Sequence, residues 1–233
     1  MLETTTSFLS SLAKNNNREW FADNKGKYLD AKEEFESFVE ELIPMVQEMD
    51  PGIGHVTLSD CTYRIYRDTR FSADKTPYKN HFGAYINRHG KKSPYAGYYI
   101  HISPAEGSLW GGGLYCPEPE ILKAGRRDIY ENIDESRSII DAPEFKDRYT
   151  LSQENKLKKA PQGFPQDFPD IELLKHRHYD AICPIPDSAF KGRVLAERTM
   201  DAFRALMPLN RFLNFTIDQT LPQTGLSSRS IIH

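Results

Sequence analysis

The spacing of apolar residues changes twice along this chain of 233 residues, and no other feature of the sequence constrains its fold as strongly. Up to about residue 50, apolar side chains recur every three to four positions, which is the spacing of one helix face. Between about residues 56 and 115, aromatic and β-branched residues fall in short runs separated by turn signals, as in strands. From residue 117 onward, the helical spacing returns.

These two changes predict an α+β protein rather than one in which helices and strands alternate. We expect a single α+β domain over residues 1–233, helical over 1–50, mainly strand over 56–115 and mainly helical over 117–220. Strands are predicted near residues 60–67, 82–88, 96–103, 107–115 and 179–185. The sheet is predicted to be an antiparallel meander of about five strands, packed against the N-terminal and C-terminal helices.

Particular residues mark the predicted helices. The stripe of the long N-terminal helix consists of Tyr28, Phe35, Phe38, Val39, Leu42, Val46 and Met49. Gly26 and Pro44 indicate a break or kink in that helix. Asp187 is expected to cap a final long helix. The residues of that helix expected to face inward are Val194, Leu195, Phe203, Leu206, Phe212 and Phe215.

Charge and hydropathy exclude several classes of protein. The formal net charge is −3. The overall charge therefore does not favour binding to nucleic acid or to an anionic membrane, and any anion site must be a local patch. No apolar run approaches the roughly 20 residues of a membrane helix, and no membrane partner is expected. The N-terminus lacks the pattern of a signal peptide, which predicts a cytoplasmic protein. The oligomeric state has no signature in the sequence.

The cysteines and histidines give no sign of a metal or cofactor. Cys61, Cys116 and Cys183 are far apart and odd in number, so no disulfide framework is expected, and all three are interpreted as buried small apolar residues. His176 and His178 are predicted to lie at a helix end and face solvent. Neither a metal site nor a cofactor is therefore predicted.

A glycine run follows a tryptophan at a predicted strand. Gly111, Gly112 and Gly113 lack the lysine and hydroxyl residue of a phosphate-binding loop, so we interpret them as a place of close strand packing or a bulge. Trp110, just before them, is interpreted as a core residue.

Residues 64–83 depart most clearly from the rest of the chain. The segment holds five cations and only two acids, although the protein as a whole is negatively charged. We expect it to be a strand that runs into a loop of about a dozen residues, and long ordered loops in compact domains are usually functional.

The residue types in this segment suit an anionic ligand. Arginine presents planar pairs of donors that match phosphate oxygens, and lysine adds point charges. Aromatic rings at Tyr66, Phe71 and Tyr78 are suited to stacking on a base or a sugar. The predicted ligand-binding residues are Arg64, Arg67, Arg70, Lys75, Tyr78 and Lys79. The expected partner is therefore a phosphate-bearing small molecule, such as a nucleotide, or a nucleic acid.

Two other functions remain open for the same segment. A hydrolase or transferase acting on such a substrate would need an acid or base close to the cations, and Asp68, Asp74 and His81 are the candidate catalytic residues. Alternatively, arginines and aspartates interleaved in this way form an internal salt-bridge clasp that ties loop to sheet, in a protein with a structural or interaction role. In that case Arg70→Ala would destabilise the fold rather than remove a ligand contact.

The pattern Arg-x-x-Arg-Asp-x-Arg-Phe-x-x-Asp-Lys-x-Pro-Tyr-Lys-x-x-x-Gly, which begins at Arg64, resembles the signature of an uncharacterised microbial family known as domain of unknown function 2461. The N-terminal segment over residues 8–21 and the segments 158–164 and 173–175 resemble it too, so the similarity spans nearly the whole chain. The resemblance implies a shared fold and a shared surface centred on the Arg64 segment. It implies no activity, substrate or cofactor.

Overall fold

Three helices form the N-terminal part of the computed structural model, which describes residues 2–70, 72–190 and 194–221. They are α1 (Glu3–Lys14), α2 (Arg18–Asp23) and α3 (Lys25–Met49). The side chain of Asn17 accepts a hydrogen bond from the Trp20 amide and so caps α2. The predicted stripe of α3 is buried except at Met49, which is partly exposed. Neither Gly26 nor Pro44 ends the helix.

The sheet of the described residues has five antiparallel strands, as predicted. They are β1 (Phe82–Asn87), β2 (Gly97–Ile102), β3 (Leu109–Leu114), β4 (Thr150–Leu151) and β5 (Tyr179–Pro184). Their order across the sheet is β1-β2-β3-β5-β4. The first three strands form the expected meander, and β5 pairs with β3 after a long helical connection.

The strand predicted over residues 60–67 is present only in part: Thr62 and Tyr66 form isolated bridges to Ala84 and Tyr78, but no regular strand forms. Its beginning belongs to a short helix, α4 (Leu58–Cys61). Thr57 and Asp60 form a capping box, in which the Asp60 carboxylate accepts hydrogen bonds from the amide and hydroxyl of Thr57. The capping box thus makes residues 60 and 61 helical, whereas Tyr63 and Arg67 still donate backbone hydrogen bonds to Gly83 and Pro77. The fifth strand of the sheet is instead the two-residue β4, which lies outside every predicted strand.

The second helical part surrounds β4 and β5. Its helices are α5 (Pro119–Glu131), α6 (Ile133–Ile140), α7 (Pro143–Lys146), α8 (Ile171–Leu174) and α9 (Leu195–Thr220). Two details of the predicted final helix are wrong. Residues Asp187–Phe190 form a separate 3-10 helix, and α9 begins only at Leu195. Val194 and Phe215, both predicted to face inward, are exposed by 37% and 61%.

One face of the sheet packs against helices. Alternate residues of β1, β2 and β3 point to this face and are buried against α9 and α3. The Trp110 indole donates to the Thr199 hydroxyl over 2.9 Å, and the Tyr98 ring lies 5.1 Å from the Phe203 ring. Trp110 is thus a core residue, as predicted.

The glycine run is needed for close packing, also as predicted. A β-carbon on Gly112 would lie 2.1 Å from the Gly97 carbonyl oxygen and 2.5 Å from Leu206 Cδ2. Gly113 has a φ of +93°, a conformation that side chains rarely adopt. These two positions let β3 approach both its neighbouring strands and α9.

No helix in the described part of the chain is long and apolar enough to cross a membrane. This finding agrees with the hydropathy of the sequence.

Candidate functional site

The segment predicted as a strand and a long loop is a hairpin. We call residues 62–84 the basic hairpin. Three backbone hydrogen bonds hold its arms together: Tyr63 N to Gly83 O (3.0 Å), Lys79 N to Ile65 O (2.8 Å) and Arg67 N to Pro77 O (3.0 Å). Isolated bridges join Thr62 to Ala84 and Tyr66 to Tyr78. The two arms therefore extend the sheet at the β1 edge, and residues 68–76 connect them.

The arginines of the loop are paired with its acids. Arg67 donates to the Asp74 carboxylate and, over 2.5 Å, to the Thr76 hydroxyl. Arg70 donates to Asp68 through Nη2 (2.7 Å) and Nε (3.0 Å). The hydrogen bonds from Arg70 lower the pKa of Asp68 to about 2. The Thr76 amide, followed by Arg67, lowers the pKa of Asp74 to about 2.

These contacts decide what the two aspartates can do. Both carboxyl groups are ionised at neutral pH and are already bound to local donors. Neither has the raised pKa that an acid catalyst needs. Arg67 and Arg70 thus form ion pairs within the loop itself.

The other residues predicted to bind the ligand do not face one common site. Tyr78 is buried and stacks on Phe21, with ring centroids 3.9 Å apart, so it packs the hairpin onto α2. Lys75 donates to the Thr69 carbonyl over 2.9 Å and lines a shallow depression beside α2. Arg64 is exposed and has no hydrogen-bond or ion-pair partner among the described residues. Phe71 lies outside the described residues.

Lys79 alone of the predicted ligand-binding residues lies in a large groove on the second face of the sheet. The groove has a volume of about 1210 Å³. Its floor is formed by residues that alternate with the core-facing ones on neighbouring strands, including Tyr85, Tyr99, Leu109, Gly111, Asp180 and Ile182. We call this space the sheet groove.

Two lysines flank an aromatic ring at one end of the sheet groove. Lys79 Nζ lies 5.5 Å from the centroid of Tyr63, and Lys91 Nζ lies 6.0 Å from the same centroid. Lys91 also donates to the Ser59 carbonyl. Burial, followed by repulsion from Arg64, lowers the pKa of Lys79. Among the described residues, no carboxylate lies within ion-pair distance of Lys79 Nζ.

An acidic residue that the sequence analysis missed lies in the same groove. Burial raises the pKa of Asp180 to about 6, and its Oδ1 atom is buried without a hydrogen-bond partner. A carboxyl group with such a pKa can give up or take up a proton near neutral pH. Its position in the predicted strand was the available signal. Asp180 lies two residues before Ile182 in β5, so both side chains point to the same face of the sheet.

The raised pKa of Asp180 makes stability depend on pH in a defined direction. Because the folded carboxyl binds its proton more tightly than the unfolded one, its contribution to stability is full below about pH 4 and is lost as the pH rises through about 6. After a discount for partial exposure, we expect Asp180→Asn to raise the free energy of unfolding at about pH 7.5 by about 1–2 kcal/mol. Urea unfolding measures this. If Asp180→Asn raised the free energy of unfolding equally at about pH 4, the result would contradict the raised pKa of Asp180.

The predicted catalytic histidine lies beside a second histidine. The rings of His81 and His101 have centroids 4.2 Å apart. Burial, followed by His101, lowers the pKa of His81 to about 4, and burial lowers the pKa of His101. Both rings are therefore neutral at neutral pH. His81 lines the sheet groove. Asp74, one of the two candidate aspartates, instead lines the depression beside α2.

Two expectations for other residues are wrong. His176 and His178 are buried, not solvent-facing: His176 Nδ1 lies 2.8 Å from the Ser152 carbonyl, and His178 Nδ1 accepts from the Cys116 amide over 3.0 Å. Cys116 is exposed, because it lies in the turn after β3, where it has a φ of +49°. Cys61 and Cys183 are buried as expected, and all three thiols are free.

Comparison with known proteins gives a family but no function. No curated protein and no solved structure matches the chain. A family described as conserved hypothetical protein (DUF2461) matches residues 4–212, which includes the basic hairpin, the whole sheet and most of α9. The chain therefore belongs to the DUF2461 family of conserved hypothetical proteins.

Proposed function

We propose that the protein binds a phosphate-bearing small molecule, such as a nucleotide, in the sheet groove, with Lys79 and Lys91 contacting the phosphate. The observation that carries this proposal is the Lys79 ammonium, which is half-buried in the groove without a carboxylate partner among the described residues. Removing a cation from water costs free energy unless an anion or hydrogen-bond acceptor replaces the water. A bound phosphate would supply that replacement.

The size and walls of the sheet groove support a small organic anion. Its volume of about 1210 Å³ is ample for a nucleotide. Tyr63 and Tyr115 are exposed by 37% and 65%, and both line the groove. Such rings provide flat apolar surfaces on which a base can stack. This placement retains the anionic ligand expected from the sequence but moves its centre from the arginines to Lys79.

Binding measurements with simple probes test the proposal. Isothermal titration at low salt would compare inorganic phosphate, pyrophosphate, ADP and a short single-stranded DNA. We expect ADP to bind more tightly than pyrophosphate, since only ADP has a base, and the affinity to fall as salt is added. Preference for DNA over ADP would favour a nucleic acid as the ligand. No binding of any probe would contradict the proposal.

Catalysis on such a ligand is the second candidate, and Asp180 is the observation that favours it. Its raised pKa and its position in the groove suit a general acid or base of a hydrolase or transferase. If the groove is catalytic, we expect wild-type protein to hydrolyse phosphoesters from a panel and Asp180→Asn to lose at least about a hundredfold of that rate. Equal rates for both proteins would exclude this role of Asp180.

A further inference from the structure

Three potential metal ligands meet where the basic hairpin joins the sheet. His81 precedes β1, His101 lies in β2, and Glu106 lies in the turn between β2 and β3. One ligand atom from each residue can be chosen so that all three lie within 4.8 Å of one another. Two of them are imidazoles, so this cluster differs from the acidic patches that are common on protein surfaces.

The strands hold the two histidines close together. Gly83 pairs with His101 in the register of β1 and β2, and His81 lies two residues before Gly83, on the same side of the chain. Both side chains are partly buried, whereas Glu106 is exposed and closes the cluster from the solvent side. His101 begins on a paired strand, and side chains on such strands are held more rigidly than side chains on loops.

Neighbouring polar groups orient two of the three ligands. The Tyr99 hydroxyl lies 3.1 Å from His101 Nδ1, which leaves Nε2 for an ion. Asn80 Nδ2 donates to Glu106 Oε1 over 3.5 Å. Metal-binding histidines in proteins regularly have such a partner on the second nitrogen. The His81 ring has no hydrogen-bond partner among the described residues.

We propose that His81, His101 and Glu106 bind a divalent first-row transition metal ion. Imidazole nitrogens favour ions such as zinc over magnesium or calcium, and one carboxylate completes a three-residue set. Zinc bonds of about 2.0–2.2 Å place tetrahedral ligand atoms about 3.3 Å apart, so side-chain movements of about 1.5 Å or less close the site. Three protein ligands leave a coordination position open.

The open position gives the site a chemical use. His81 also lines the sheet groove, so an ion held by it would lie at the groove wall. Such an ion can bind an anionic oxygen or lower the pKa of a bound water molecule. The metal proposal does not depend on the anion proposal, because Lys79 and Lys91 are not ligands in it.

Metal titration of the untagged, full-length protein tests this proposal. Zinc chloride is titrated by calorimetry, and cobalt chloride is followed by its visible absorption. We expect a single ion per chain and a cobalt spectrum typical of four or five ligands without thiolate. Glu106→Gln and His81→Gln should each weaken zinc binding by at least about tenfold. Glu106→Gln alters an exposed turn residue, so it keeps the test valid even if His81→Gln does not fold.

A matched control separates a built site from zinc on surface histidines. His55 is exposed and lies outside the cluster, so His55→Gln should bind zinc as the wild type does. Tyr99→Phe, which removes the hydroxyl next to His101, should weaken binding less than the loss of a ligand and leave the single ion per chain. Equal zinc affinity in wild type, Glu106→Gln and His81→Gln would overturn the proposal, as would a thiolate absorption band or no binding of either metal.

Discussion

Gly112→Ala is expected to destabilise the fold by about 3 kcal/mol or more, which is the largest effect of a single added methyl group that we predict here. The new β-carbon would lie 2.1 Å from the Gly97 carbonyl oxygen and 2.5 Å from Leu206 Cδ2. A flexible side chain can move away, but a backbone carbonyl in a paired strand cannot. Either β3 shifts away from β2, or α9 moves off the sheet. Urea unfolding measures the change in the free energy of unfolding.

Gly26→Ala is the matched control for this substitution. A β-carbon at Gly26 meets no atom within 4 Å, and the residue lies inside α3. The same chemical change should therefore stabilise the protein by up to about 1 kcal/mol, because alanine favours helix. If Gly112→Ala unfolds at the same urea concentration as the wild type, the close contact of β3 with β2 and α9 is not as described.

Lys79→Met is expected to weaken binding of ADP by at least about tenfold, since a charged hydrogen bond contributes roughly 1.5–3 kcal/mol. Methionine keeps most of the length of the side chain and its contact with Tyr63, but removes the charge. The variant should also show a weaker dependence of affinity on salt, because one ion contact is lost. Isothermal titration at two salt concentrations measures both effects.

Lys75→Met is the matched control, because it makes the same chemical change in the same hairpin. Lys75 bonds the Thr69 carbonyl and lines the depression beside α2 rather than the sheet groove. Its loss should leave the affinity for ADP unchanged. If Lys75→Met or Arg70→Ala weakens binding as much as Lys79→Met does, the ligand lies along the hairpin loop and not in the groove.

The helices and most of the sheet could be predicted because they follow from local periodicity. The stripe from Tyr28 to Val46 faces the core as its spacing predicts, and so do the alternating residues of β1 and β2. The segment 60–67 shows where this fails, because a short helix replaces its beginning and no regular strand forms. Its aromatic residues have the strand signal, but the capping box at Thr57 begins a helix at Leu58. The boundary is set by the side chains of Thr57 and Asp60.

The candidate site was predicted only in part, because its members come together through pairing between distant strands. Lys79 was found from the charge of residues 64–83, but charge alone did not distinguish it from Lys75. Asp180 reaches the groove because β5 pairs with β3, and Glu106 approaches His81 because Ile102, at the end of β2, pairs with Phe82 at the start of β1. The pairing of β5 with β3 has no local signature in the sequence.

A crystal structure of the protein soaked with ADP decides whether the anion site lies at Lys79 in the sheet groove. We expect the phosphates of ADP to lie between the ammonium groups of Lys79 and Lys91, with the base against an exposed tyrosine of the groove. Phosphates bound at Arg67 and Arg70 in the hairpin loop would contradict it. So would an unoccupied groove at an ADP concentration that saturates the protein in solution.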